Sequence, residues 1–127
     1  MNNPKFFRFP FAATGDKTPL PDEGQENGTI SYAEGYGFDY ERNPATDPQA
    51  KRIERDKMNQ LYYDITHNIR QYQLQGVPQW IDQSSNGNMP VTYQKNAMVR
   101  FKINDQQEDI YISLKDFNTD TPTDVKS

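Results

Sequence analysis

Cysteine is absent from this 127-residue chain, which excludes disulfides and thiolate metal sites. Histidine occurs once, at His67, with no set of carboxylates around it at metal-ligand spacing. Asp64, three residues earlier, offers it a local hydrogen-bond or ion-pair partner, so His67 reads as a surface residue. No apolar run approaches the roughly 20 residues that a bilayer-spanning helix needs, so membrane insertion is not expected. Hydrophobic residues are scarce, at 33%, and the mean hydropathy of -1.06 leaves too little for a full core over the whole length. Basic excess is lacking too. Residues 1–50 carry four Lys/Arg against eight Asp/Glu and residues 51–127 ten of each, so no electrostatic footprint for nucleic acid exists. The opening Met1-Asn2-Asn3-Pro4-Lys5 leads into aromatics and prolines rather than a leucine-rich signal core, so no secretory signal is expected.

Catalytic patterns are missing as well. No nucleophile elbow surrounds any serine, and a single histidine on a solvated helix is a poor triad member. Glu108 and Asp109 form a carboxylate pair, but in an expected turn where water relieves their repulsion. Glycosidase chemistry needs one carboxyl in an apolar pocket that raises its pKa. Gly35-Tyr36-Gly37 has no strand before it and no Lys-Ser/Thr after it, so it is not a phosphate loop. We expect no enzyme and no cofactor.

What the chain does have is aromatic residues, 13% of the total, which speaks against simple disorder. Its organising stretch is 47–76. Asp47-Pro48 reads as an N-cap followed by proline in the first helical turn, and no further glycine or proline occurs until Gly76. Within it Met58, Leu61, Tyr62, Ile65, Ile69 and Tyr72 recur at steps of three and four, a stripe of roughly 100° on one face. Arg52/Asp56 and Glu54/Lys57 are opposite-charge pairs suited to a solvated flank. The expected helix is on the order of 40 Å long. Met58, Ile65 and Tyr72 repeat every seven residues with Leu61 and Asn68 between them, the spacing of a short three-helix seam. Packing of the same stripe on the chain's own hairpin is the alternative.

Before the helix, Lys5-Phe6-Phe7-Arg8-Phe9-Pro10-Phe11 puts four phenylalanines in seven positions, and Pro10 excludes a central strand. This arm folds back on the helix, inserts into a groove on another protein, or stays disordered. Residues 12–46 are dense in glycine and proline yet punctuated by Tyr32, Tyr36, Phe38 and Tyr40, which predicts an ordered, surface-hugging loop. After the helix, Trp80 is expected against its C-terminal end, followed by a polar turn at Ser84–Asn88. Residues 97–103 and 110–114 alternate as a β-hairpin, with Val99, Phe101 and Ile103 on one side of the first run, Ile110, Ile112 and Leu114 on one side of the second, and a polar connection from Asn104 to Asp109. The expected class is α+β. An extended arm and loop (1–46), a long helix (47–76), a small β module (77–117) and a linker (118–127) make an elongated chain that completes its packing on partners.

Phe7-Arg8-Phe9-Pro10-Phe11, Gly15–Thr18, Pro21-Asp22, Ser31–Tyr40, Asn43–Pro48, Ile53–Asn59 and Asp64-Ile65 through Ile69–Tyr72 form an ordered string of motifs. The string resembles the N-terminal region of tail-fibre proteins of tailed bacteriophages and prophages, over roughly residues 6–124. The resemblance implies a virion structural protein, assembled in the host cytoplasm, that attaches the fibre to a phage tail or baseplate protein, and usually a homotrimer. It would make Phe6, Phe7, Phe9, Phe11, Tyr32, Tyr36, Phe38 and Tyr40 the tail-docking residues, and Met58, Leu61, Ile65, Ile69 and Tyr72 the oligomer seam. The segment Tyr93…Asn96–Phe101, Ile110–Asp116 and Asn118…Thr121-Pro122 also resembles small chitin-binding-like β modules, with an Asn104–Asp109 connection longer than usual and no closing tryptophan through Ser127. That implies a second reading, a carbohydrate-binding module with Trp80, Tyr93, Tyr111 and Phe117 as glycan-stacking platforms.

Overall fold

A computed structural model describes residues 2–124; the last three residues of the expected linker, 125–127, lie outside the described residues. Among the described residues the fold is α+β, with one helix, α1 (Arg55–Gln75), and one antiparallel hairpin, β1 (Met98–Asn104) and β2 (Gln107–Ile112). Short 3-10 turns stand at Phe38–Tyr40 and Gln83–Asn86. The residues gather into two compact units, Met1–Gln71 and Tyr72–Ser127.

The helix stops where its sequence says it should. Gly76 takes φ 72° and its N–H donates to the Tyr72 carbonyl at 2.8 Å, a left-handed cap that a residue with a Cβ adopts only at a cost. The start differs from expectation: α1 begins at Arg55, eight residues after Asp47, so it is about 30 Å long. Asp47-Pro48 instead forms a turn. The Asp47 carboxylate accepts from the Gln49 N–H at 2.9 Å, and the Lys51 N–H, which a helix would aim at the Asp47 carbonyl, donates to Asp39 at 2.8 Å. A tertiary acceptor thus outcompetes the helical one. Arg52 precedes the helix and drops out of the expected pairing with Asp56, whereas Glu54 and Lys57 do approach, at 4.0 Å.

In the first unit Ile30 is the buried apolar residue and Ser31 the buried polar one. Residues 16–18 are tied to the start of α1. Asp16 meets Arg55 at 3.1 Å, and Thr18 donates its hydroxyl to Asp56 at 2.5 Å. His67 does not pair with Asp64; it stacks on Tyr63 with ring centroids 5.1 Å apart, while Asp64 accepts from Gln60 and from the Tyr32 hydroxyl.

In the second unit the hairpin turn is tighter than the Asn104–Asp109 span foreseen. Only Asp105 and Gln106 separate the strands, and Asn104 Oδ1 accepts from the Gln106 N–H at 2.8 Å. A bulge between Lys102 and Asn104 takes Ile103 out of the ladder. The register pairs Val99 with Tyr111 and Phe101 with Asp109, but Met98 with Ile112 and Arg100 with Ile110. The two apolar sides foreseen for the strands therefore lie on opposite faces. Val99 is buried, while Ile110 and Ile112 are more than half exposed. Trp80 is also not where expected. Its N–H donates to the Arg100 carbonyl at 2.8 Å and its ring meets Phe101 edge-on at 5.6 Å, so it packs on the hairpin rather than on the helix end.

Candidate functional site

Along α1 in the first unit, the chain clothes one flank of the helix and leaves the other bare. The aromatic arm runs over Tyr62, Thr66 and Arg70, positions four apart and hence stacked on one face. The Phe11 N–H donates to Thr66 Oγ1 at 2.7 Å, the Phe11 ring meets Tyr62 edge-on at 5.3 Å, and Arg70 donates to the Arg8 carbonyl at 3.4 Å while lying over the Phe6 ring at 5.4 Å. Of the three fates foreseen for the arm, the chain adopts the one on its own helix. Contact is one-sided, though: Phe6 and Phe11 stay exposed, Phe7 is half-buried, and Phe9 is 65% exposed.

The tyrosine-rich loop divides its rings between inside and outside. Tyr40 accepts the Ile30 N–H on its hydroxyl at 3.0 Å and meets Tyr36 edge-on at 4.8 Å. Tyr36 has its hydroxyl shut away from water without a hydrogen-bond partner, and burial pushes its pKa up, with Tyr40 adding to the shift. These two are packing residues. Tyr32 and Phe38 face out. Burial and then the Asp64 carboxylate that accepts its proton raise the Tyr32 phenol well above its ordinary value. Phe38, 66% exposed, carries the Arg42 guanidinium 4.6 Å above its ring.

A charge cluster that sequence reasoning overlooked shapes this loop. Asp39 accepts from Arg42 at 2.7 Å and from Lys51 at 3.0 Å, and Arg42 reaches Asp47 at 3.0 Å. The Asp39/Arg42 spacing of three was the available signal. Hydrogen bonds from Arg42 and then Lys51 hold the Asp39 carboxyl below its ordinary 3.8, and those from the Gln49 N–H and then Arg42 do the same for Asp47. A depressed folded pKa stabilises above the unfolded value and is lost as pH falls through the folded one. Acidification below about 3.8 is therefore expected to open the 39–51 loop. An NMR titration following the Lys51 amide and the Arg42 Nε–H would show it; signals unmoved throughout the acid range would contradict it.

Of the five expected seam residues the chain leaves three uncovered. Met58 and Leu61 are half-buried, but Ile65, Ile69 and Tyr72 are 48%, 41% and 57% exposed, and no residue of α1 is buried. Such exposure at heptad spacing is unusual for a helix whose apolar face is satisfied within its own chain.

The expected glycan platforms are brought together only in part. Trp80, Tyr93 and Tyr111 line one cavity of about 30 Å³ with Val99, Asn118 and Pro122, room for a water rather than a sugar ring. Tyr93 accepts the Ile81 N–H on its hydroxyl at 3.0 Å, and Tyr111 meets Phe101 edge-on at 6.2 Å. None of the three is fully buried, and Trp80 also lines an open hollow of about 420 Å³ with Ile81, Asp82, Pro90 and Val91. Phe117 stands apart, 77% exposed at φ 51°.

Among the described residues no group of three or more His, Cys, Asp or Glu could hold a metal ion, and no helix is long and apolar enough to cross a membrane. The chain matches no protein-family model and no curated protein.

Proposed function

We propose that this chain is the tail-proximal anchor of a bacteriophage or prophage tail fibre, a non-enzymatic, elongated virion protein that joins the fibre to the tail or baseplate and assembles as a homotrimer. The observation that carries the reading is the division of α1. Its arm and loops lie against the Tyr62/Thr66/Arg70 and Arg55/Asp56/Asn59 flanks, while Ile65, Ile69 and Tyr72 remain open to a partner. Three copies of that stripe would bury one another, and the polar Asn68 at an intermediate position would fix the register. Phe6, Phe9, Phe11, Tyr32 and Phe38 supply outward aromatic anchors for the tail. Burying a phenylalanine is worth about 1.5–3 kcal/mol, and three linked arms multiply the hold. Tyr93 commits its hydroxyl to the Ile81 N–H, and the Trp80 and Tyr111 rings both meet Phe101 edge-on, which favours attachment over sugar stacking as the role of the chain.

The test of docking is the double substitution Phe7→Ala with Phe9→Ala. Fibres carrying it are expected to fail to enter virions, as counted by immunoblot of purified particles. Normal incorporation would remove the arm from the docking surface.

A further inference from the structure

We propose that the Ala12–Gly15 turn and the ring of Tyr63 form a binding site for a primary ammonium ion, filled in the free chain by Lys17 itself, and that this internal ligand is the latch fixing the aromatic arm. The Lys17 ammonium donates to the carbonyls of Ala12, Ala13 and Gly15 at 2.5, 3.2 and 3.1 Å. A primary ammonium has three N–H donors, and here three carbonyl acceptors converge on them. The Tyr63 ring adds a fourth contact, its centroid 4.7 Å from Nζ, where the negative face of the ring attracts a cation.

No carboxylate takes part. The adjacent Asp16 is turned to Arg55, and Lys17 makes none of the salt bridges among the described residues. The cation is thus recognised by neutral oxygens and a π-face, an arrangement selective for the compact ammonium over a planar guanidinium with its five N–H groups. The backbone is bent to make it. Ala12 sits at φ 55°, a conformation that residues with a Cβ avoid, and its carbonyl accepts both the Gly15 N–H at 3.1 Å and the Lys17 ammonium. Strain of this kind persists only where surrounding contacts hold it.

The position of the turn gives the site its consequence. Downstream, Asp16 and Thr18 are fastened to Arg55, Asp56 and Asn59 of α1; upstream, Phe11 is fastened to Thr66 and Tyr62. Lys17 closes the corner between the two. Loss of its charge would free the arm without undoing the downstream anchors, and the site stands whether or not the chain anchors a fibre.

Hydrogen exchange on the full chain tests it. In Lys17→Met, which keeps an apolar stem and removes the ammonium, protection of the Gly15 and Phe11 amides is expected to fall by about tenfold or more, while the Lys51 amide, bonded to Asp39, keeps its own. Lys17→Arg is expected to behave like Lys17→Met. Methylammonium chloride at sub-molar concentration should restore protection in Lys17→Met, and tetramethylammonium, which has no N–H, should not. Three results overturn the proposal: unchanged protection in Lys17→Met, no rescue by methylammonium, or equal rescue by both salts.

Discussion

Arg100→Ala is expected to cost the second unit about 2–4 kcal/mol, enough to unfold most of a unit this small. The guanidinium donates to the Val77 carbonyl at 2.6 Å, to Gln75 Oε1 at 2.8 Å and to Glu108 at 3.0 Å, and the Arg100 backbone pairs with Pro78 and Trp80 at 2.8 Å on both sides. With the Arg100 and Glu108 side chains only 22% and 24% exposed, truncation leaves a half-buried carboxylate and a carbonyl without their donor. Gln79 still donates to the other Glu108 oxygen at 3.1 Å, so the carboxylate keeps one partner and the loss falls on its Arg100-facing oxygen and on the Val77 carbonyl. Trp80, the single tryptophan, reports the transition by fluorescence in a urea titration. Arg100→Lys keeps a charge but loses the fork and should fall between wild type and alanine. A midpoint unchanged in Arg100→Ala would mean that the hairpin stands on Val99, Phe101 and Trp80 alone.

Replacing Ile65 and Ile69 together with aspartate is expected to abolish self-association. For the wild-type chain, light scattering across a dilution series should give three times the 14.8 kDa monomer, and for the double variant a single monomer. Two charges per copy would face one another across the seam, where burying an unpaired charge costs far more than the apolar contact gains. Both positions are exposed in the single chain, so the monomer should keep its fold, loop 39–51 included. His67→Ala, on the opposite side of α1, serves as the control and should leave the mass unchanged. A monomeric wild type at every concentration would remove α1 from any seam built by this chain alone and leave trimerisation to a shaft or to the tail.

Much of this fold was legible along the chain because it depends on near neighbours. The three-and-four spacing from Met58 to Tyr72 marks a helix under any packing, and Gly76 ends it because its left-handed cap is local. The alternation of 97–103 and 110–114 marks two strands for the same reason. The start of the helix was not legible. Asp47-Pro48 carries every local sign of an N-terminus, and only the presence of Asp39 and Arg42 nearby in space turns it into a loop clamp. The aromatic arm was legible as a candidate surface, but the split between inward Tyr36 and Tyr40 and outward Tyr32 and Phe38 was not. Residue type does not say which ring turns in: the Tyr40 hydroxyl accepts the Ile30 N–H, the Tyr32 hydroxyl donates to Asp64, the Tyr36 hydroxyl is buried without a partner, and Phe38 has none.

The sequence by itself determined the α+β class, the helix with its apolar stripe, the hairpin and the aromatic arm, since each rests on residue spacing and backbone preference over a few residues. Tertiary structure alone decided which side of each element is used. The Ile103 bulge and the strand register set Val99 opposite Tyr111, left Phe101 to meet Trp80 and turned Ile110 and Ile112 outward, because side chains alternate and one unpaired residue changes which ones meet. The anchoring of Lys17, Arg42 and Arg100 was likewise settled in space. A cation's partners are the oxygens that the fold brings within about 3 Å of it; a spacing such as Asp39/Arg42 names a candidate pair, and only the folded backbone sets the distance.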